Sequence, residues 1–107
     1  MDLASRKCVP CEGGVDKFDA AKIATFLQGL DGWVVTEDQL HKRYVFKNFV
    51  EAMSFLNKVA EIAEGEGHHP DFCVHYNKVD FTIWTHAIGG LSENDFILAA
   101  KIDLLAA

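Results

Sequence analysis

The chain has 107 residues, half of them hydrophobic and 11% aromatic, and it carries a formal net charge of −6. This length limits it to one small domain with a modest core, so self-association is a reasonable source of extra stability. The ten Lys and Arg residues are scattered, which argues against direct nucleic-acid binding, because phosphate contact needs clustered cations. No apolar run approaches the roughly 20 residues of a membrane span, and no signal peptide is recognisable, so we expect a cytoplasmic protein without a membrane partner.

The first fifteen residues contain a Cys-x-x-Cys motif formed by Cys8 and Cys11. A structural zinc site usually needs four ligands, and Cys73 is the only other cysteine, so a metal would need a histidine or a second chain. A redox-active pair is typical of a βαβ unit, and no such pattern surrounds this motif. We therefore interpret residues 1–15 as an N-terminal arm with reduced thiols, and residues 16–107 as a single domain.

The domain begins with a short helix and a hairpin. Asp19 is placed to cap the helix N-terminus, and Gly32 lies just past its predicted end. Residues 33–36 and 40–47 are rich in β-branched and aromatic side chains and flank a polar stretch, which predicts two antiparallel strands. Lys42 interrupts the apolar alternation of the second strand, so we assign that strand to a sheet edge.

A second, longer helix follows. Asn48 and Glu51 have the spacing of a capping box at its start. Phe49 and Phe55 lie off the apolar stripe, so the buried face is wide or some aromatic surface faces a partner, and burial in the core is favoured. The stripe itself repeats with a period near 3.6 and consists of Ala52, Met53, Leu56, Val59, Ala60 and Ala63.

A second hairpin and a last helix complete the pattern. Residues 72–76 and 79–86 flank Asn77 and Lys78, which predict a two-residue turn because Asn tolerates positive φ. Ser92 and Asp95 occupy the N-cap and N3 positions of the last helix, so capping alone explains Asp95. The predicted fold is α+β, a four-stranded antiparallel sheet with helices packed on one face, in the order α-β-β-α-β-β-α.

Three of the five histidines cluster in the stretch from residue 64 to residue 95. Glu64 and His68 are four residues apart, so a continuous helix would point this carboxylate toward the first imidazole. Extended backbone before Pro70 would send His68 and His69 to opposite sides. Together with His86, these imidazoles can supply acid and base forms near neutral pH, whereas they lack the spaced pairs of a zinc site. His41 and His75 are interpreted as ordinary polar residues, and we expect no metal.

The spacing of this stretch resembles a known signature. The matching residues are Glu64-x3-His68-His69-Pro70-x5-Tyr76-x9-His86-x8-Asp95, supported by Thr85 before His86 and by Gly90-Leu91-Ser92. This pattern is similar to that of the pterin-4a-carbinolamine dehydratases, and the likeness runs from about residue 33 to the C-terminus. Trp84 departs from the family pattern by its size.

The resemblance implies the loss of water from a 4a-hydroxytetrahydropterin to give a quinonoid dihydropterin, a step of tetrahydrobiopterin recycling that needs no cofactor. It implies that His68 and His86 act as general acid and general base, in an order left open. His69 would hold the substrate or share the acid role, and Glu64 would orient His68.

The resemblance also implies contacts and partners. The pterin would be bound by the catalytic histidines and stacked on Trp33, and the remaining contacts would come from Pro70, Thr85, Ala87 and Ile88. The implied assembly is a homotetramer built from dimers whose sheets join. The alternative function is a binding protein that acts as dimerisation cofactor of a homeodomain transcription factor, with a nuclear location as the alternative to the cytoplasm.

Overall fold

The computed structural model describes residues 2–9 and 16–107 of the chain. Two short 3-10 turns span Leu3–Ser5 and His86–Ile88. The helices and strands are, in chain order, α1 (Ala20–Leu27), β1 (Val34–Thr36), β2 (Gln39–Val45), α2 (Phe49–Glu66), β3 (Asp71–His75), β4 (Lys78–Ile83) and α3 (Glu93–Ala106). The predicted α+β order α-β-β-α-β-β-α is confirmed.

The four strands form one antiparallel sheet in the order β1-β2-β4-β3. One face is apolar and buried under the helices, with Leu40, Val79, Phe81 and Ile83 almost completely inaccessible. No helix in the described part of the chain is long and apolar enough to cross a bilayer. The opposite face is polar and carries contacts such as the Arg43–Asp80 ion pair, at 2.6 Å.

Three predicted helix starts are confirmed. The Asp19 side chain accepts a hydrogen bond from the Lys22 backbone N–H, at 2.9 Å. Asn48 caps α2 in the same way, and Ser92 opens α3 with a full capping box. The end of α1 was predicted less well, because the helix stops at Leu27 and turn hydrogen bonds continue only to Leu30, before Gly32 with its positive φ.

The wide buried face of α2 is confirmed for Phe55, which packs in the core, but Phe49 remains half exposed. Val50 and Met53 also point outward, and Ala60 is exposed, so Met53 and Ala60 do not belong to the buried stripe. The helix therefore presents a small apolar patch formed by Phe49, Val50 and Met53. Met53 lies four residues after Phe49 and three after Val50, so it neighbours both on the helix surface.

The second hairpin turns one residue earlier than predicted. His75 pairs with Lys78, so the turn residues are Tyr76, with φ 55°, and Asn77. Asn77 is held there because its side-chain amide and its carbonyl both bond to the Phe46 backbone, each at 2.8 Å.

The assignment of Lys42 to a sheet edge was wrong. β2 lies between β1 and β4, and Lys42 points to the helix side of the sheet, where its Nζ lies 2.8 Å from Asp103 Oδ1. Asp103 also accepts hydrogen bonds from Trp33 Nε1 and from the Tyr44 hydroxyl. Burial raises the pKa of Tyr44, and the neighbouring Asp103 carboxylate adds to the shift. The lysine is tolerated inside the sheet because its charge is paired.

Candidate active site

The three clustered histidines line one cavity of about 300 Å³. It lies where the C-terminus of α2, the start of β3, the end of β4 and the N-terminus of α3 meet. Its lining consists of Val9, Gly67, His68, His69, Asp71, Trp84, Thr85, His86, Ala87 and Asn94. A volume of this size is at the lower end of the range for small-molecule sites.

His68 enters the site because the chain reverses directly before it. Gly67 adopts a left-handed conformation with φ 66°, a backbone state that glycine enters without steric cost. The N–H groups of Gly67 and His68 both bond to the Ala63 carbonyl, which closes the helix. The His68 ring then reaches α3, where Nε2 lies 2.6 Å from Asp95 Oδ1, and its side chain is only 12% exposed.

Asp95 has two structural roles. Its Oδ2 accepts hydrogen bonds from the Ser92 backbone N–H, at 2.9 Å, and from the Thr85 hydroxyl, at 2.7 Å, so it serves as the predicted capping residue. Its Oδ1 holds His68, and the whole carboxylate is inaccessible to solvent. The capping interpretation was therefore incomplete, although the place of Asp95 in the sequence signature was a signal for the second role.

The predicted partnership of Glu64 and His68 was wrong. Glu64 Oε2 lies 2.6 Å from His69 Nε2, and His68 is turned away toward Asp95. The cause is the reversal at Gly67, since the i, i+4 argument assumed that the helix continues through His68. The Glu64–His69 contact is exposed, with 78% and 59% of the two side chains accessible, so solvent screens it.

His86 lines the same cavity from the segment that follows β4. It opens the 3-10 turn that follows Thr85, and backbone bonds between Thr85 and Gly90 close this loop. Its Nε2 lies 3.8 Å from Asp71 Oδ2, and its ring centroid is 4.1 Å from that of Trp84. The side chain is 63% exposed, so His86 is in much wider contact with solvent than His68, whose side chain is 12% exposed.

Some of the predicted binding residues line the cavity and others do not. Thr85 and Ala87 line the cavity with the three histidines, whereas Pro70 and Ile88 are not part of its lining. Trp33 was wrongly placed at the site, because it is 6% exposed in the core and bonds to Asp103. Sequence reasoning did not predict five of the lining residues. Val9 comes from the N-terminal arm, whereas the other four belong to the stretch from residue 64 to residue 95, namely Gly67, Asp71, Trp84 and Asn94.

The cysteine motif is only partly described, because Cys11 lies outside the described residues. Cys8 is partly buried, and burial is the main cause that raises the pKa of its thiol to about 12. Within residues 2–9 and 16–107, no group of three or more His, Cys, Asp or Glu side chains is arranged to hold a metal ion.

Comparison with known proteins identifies the family. The model of the family described as pterin 4 alpha carbinolamine dehydratase matches residues 16–105. The chain belongs to this family. The resemblance of the histidine signature to the carbinolamine dehydratases is thus confirmed, and membership supports a dehydratase activity on a pterin carbinolamine.

Several relatives within the dehydratase family are similar over nearly their whole length. A protein of Dechloromonas aromatica, provisionally named a pterin-4-alpha-carbinolamine dehydratase, is 49% identical over 104 residues, which cover 97% of this chain and 93% of the relative. A protein of Rubrobacter xylanophilus with the same provisional name is 44% identical over 105 residues, covering 97% of this chain and 98% of that relative.

Solved structures show the same fold. The crystal structure of a transcriptional coactivator/pterin dehydratase from Brucella melitensis superposes with a TM-score of 0.81 at 32% identity, covering 86% of this chain and 100% of that one. A pterin dehydratase-like protein identified as a RuBisCO assembly factor in the alpha-carboxysome gives a TM-score of 0.59 at 25% identity, covering 70% of this chain and 87% of that one.

Proposed function

We propose that the protein dehydrates a 4a-hydroxytetrahydropterin to the quinonoid dihydropterin by histidine acid-base catalysis, as a step of tetrahydrobiopterin recycling. The observation that carries this proposal is the convergence of His68, His69 and His86 on one cavity, each with a different carboxylate partner. Family membership supplies the substrate class. The free thiols of Cys8 and Cys73 agree with a reducing compartment, so we propose a cytoplasmic location.

The reaction needs one proton donor and one proton acceptor. The lone pair of a pterin ring nitrogen expels the 4a-hydroxyl while an imidazolium protonates the leaving oxygen, which departs as water. A neutral imidazole then removes a proton from the resulting cation, giving the quinonoid product. Each such proton transfer contributes about 10²–10⁴-fold to the rate.

The environments of two histidines support an assignment of these roles. The inaccessible Asp95 carboxylate, with Oδ1 at 2.6 Å from Nε2, is placed to accept a hydrogen bond from the His68 ring and fixes its orientation, so we assign the acid role to His68. Because Nε2 is held by Asp95, Nδ1 is the His68 atom that would deliver the proton. His86 is largely exposed and can pass a proton to water, which suits the base.

His69 suits a binding role. It is exposed, lies next to His68 in the chain and is held by Glu64 on the helix side of the cavity. We assign it contact with the substrate, with Glu64 fixing its ring. Thr85, His86 and Ala87 also line the cavity, and we assign their backbone groups hydrogen bonds to the polar edge of the pterin.

The direct test is a dehydratase assay on chemically generated 4a-hydroxytetrahydropterin. We expect turnover well above the spontaneous rate, and the same turnover after exhaustive chelation, because imidazoles alone can transfer both protons. If chelation abolished the activity and zinc, manganese or iron restored it, the reaction would use a metal ion and the imidazole mechanism would be wrong. A rate equal to the spontaneous one would contradict the proposed function.

A binding function remains the alternative. The Brucella melitensis protein is described as a transcriptional coactivator as well as a pterin dehydratase. The apolar patch of Phe49, Val50 and Met53 on α2 favours such a role, since it lies on a helix surface away from the cavity lining. A Val50→Asp variant that keeps full dehydratase activity but no longer promotes dimerisation of a homeodomain transcription factor would support it. Failure of the unaltered protein to promote dimerisation would contradict it.

We further propose a homotetramer assembled as a dimer of dimers. β3 is an edge strand of the sheet and carries the half-exposed Phe72, so a second copy could extend the sheet there. The α2 patch offers a second apolar surface for joining two such dimers. Sedimentation equilibrium at micromolar concentration should give a mass near four chains, falling toward two on dilution. A stable, active monomer would contradict this assembly while leaving the dehydratase proposal intact.

A further inference from the structure

The N-terminal arm, which precedes the family match at residue 16, is anchored along α3. Leu3 is 2% exposed and belongs to the core cluster. Lys101 Nζ in α3 donates to the Ala4 carbonyl at 2.8 Å, and Arg6 forms an ion pair with Glu93 at 2.5 Å. Residues 2–9 therefore have a fixed path across the domain surface.

Cys8 and Val9 of this arm connect the two segments that carry the His68–Asp95 pair. The Cys8 backbone N–H donates to Glu66 Oε1 at 2.7 Å, and Glu66 is the last residue of α2, two positions before His68. Next, Val9 forms two bonds with the Asn94 side chain, its N–H donating to Oδ1 at 2.9 Å and its carbonyl accepting from Nδ2 at 2.6 Å. Asn94 directly precedes Asp95.

Val9 itself reaches the site. Its side chain is 56% exposed in the chain, and it lines the cavity together with Asn94 and the three histidines. The side chains of Trp84, Ala87 and Val9 supply apolar surface in a cavity that is otherwise polar. An apolar side chain left partly exposed on the wall of a cavity can gain burial when a flat ligand fills the space.

We infer that Val9, held in place by Asn94, is a substrate-affinity residue of the catalytic cavity. Val9 provides an apolar wall for the ring system of a bound pterin, and Asn94 is a positioning residue that acts through the Val9 backbone. This inference rests on the proposed function. Because neither side chain exchanges a proton with the substrate, the arm acts on binding and leaves the chemical step unchanged.

The test uses the full-length chain with Val9→Ala and Asn94→Ala variants. Val34→Ala is the matched control for the first, since Val34 is 57% exposed and does not line the cavity, and Asn57→Ala, on the exposed side of α2, is the control for the second. Three quantities are measured for each: KM and kcat on 4a-hydroxytetrahydropterin, the Kd of unreactive biopterin by fluorescence, and the rate of Cys8 alkylation by site-resolved mass spectrometry.

We expect Val9→Ala to raise both KM and the biopterin Kd by about 3- to 10-fold with kcat within about twofold, as partial loss of an apolar contact implies. Asn94→Ala should raise them at least as much and also accelerate Cys8 alkylation, because the released arm exposes that thiol. The two control variants should match the wild type in all three measurements.

Two other outcomes overturn the inference in distinguishable ways. If the wild type binds biopterin and both Val9→Ala and Asn94→Ala bind it equally well, the arm has no part in affinity, and the proposed dehydratase function stands. If the wild type neither binds biopterin nor dehydrates the substrate, the proposed function fails and the inference fails with it.

Discussion

His68 and His69 are neighbours in the chain, and each ring nitrogen lies 2.6 Å from a carboxylate oxygen. Their surroundings differ completely. The His68–Asp95 contact is buried, with 12% and 0% of the two side chains accessible, whereas the His69–Glu64 contact has 59% and 78% accessible. Equal distances therefore describe interactions of unequal strength, because water and salt screen the exposed contact and barely reach the buried one.

Asp95 and Glu64 also differ in the number of their hydrogen-bonding partners. Asp95 also accepts bonds from the Ser92 backbone and the Thr85 hydroxyl, so moving it would disturb a helix N-terminus and a strand end. Within the described part of the chain, the Glu64 carboxylate has a hydrogen bond only to His69. A buried carboxylate that accepts several hydrogen bonds is held in one orientation, and it therefore also fixes the orientation of the imidazole bonded to it.

The largest expected effect comes from removing His68 or His86, the two histidines assigned to proton transfer. His68→Ala and His86→Ala should each lower kcat by about 10²–10⁴-fold, because each removes one proton-transfer group. Circular dichroism should remain that of a folded protein. His41→Ala and His75→Ala, on the polar face of the sheet, serve as controls with nearly unchanged rates. Wild-type rates in all four folded variants would show that the proposed site is wrong.

The second prediction compares how much the Asp95 and Glu64 carboxylates contribute to the free energy of unfolding. Asp95→Ala should lower the free energy of unfolding by about 2–4 kcal/mol, since it removes a helix cap and leaves buried donors without an acceptor. Glu64→Ala should leave the urea midpoint almost unchanged, because its contact is exposed. Urea unfolding followed by tryptophan fluorescence measures both. Equal losses in the two variants would mean that burial does not separate the two contacts.

Local signals explain what could be predicted of the fold. The caps at Asp19, Asn48 and Ser92 depend on residues three positions apart, and the buried face of β4 follows from strict alternation. The histidine cluster could be predicted for the same reason, since its members occupy the ends of elements that the pattern already places near each other. These features need no knowledge of distant contacts.

Some of the errors depend on contacts that are distant in sequence, and others on a local change of backbone direction. Lys42 and Trp33 both meet Asp103, which lies 61 and 70 residues away, and no local pattern reveals that partner. The choice of His68 for Asp95 and of His69 for Glu64 depends on one backbone reversal at Gly67. A spacing rule that assumes a continuous helix cannot anticipate it.

The smallest expected effect sharpens the contrast within a single helix turn, where the side chain of Glu66 is 13% exposed and that of Glu64 is 78% exposed. The hydrogen bond from the Cys8 backbone N–H lowers the pKa of Glu66, helped by the positive charges of Lys101 and Lys7, while burial acts in the opposite direction. A folded-state pKa below the unfolded one means that ionised Glu66 stabilises the fold at pH values above the usual 4.5. This contribution is lost as the pH falls through the lowered folded-state value.

Comparison with Glu66→Gln isolates that contribution, because glutamine keeps an acceptor for the Cys8 N–H but does not titrate. Near neutral pH the wild type should have the higher urea midpoint, and the difference should shrink as the pH is lowered below 4.5. Cys8 alkylation at neutral pH should be faster in Glu66→Gln for two reasons: a neutral acceptor holds the Cys8 N–H less strongly than a carboxylate, and the charge of Glu66 no longer helps to raise the pKa of the Cys8 thiol. Glu64→Gln is the matched control and should follow the wild type throughout. A pH-independent difference between Glu66→Gln and the wild type would mean that the charge of Glu66 contributes nothing, and that burial in this helix turn matters only through packing.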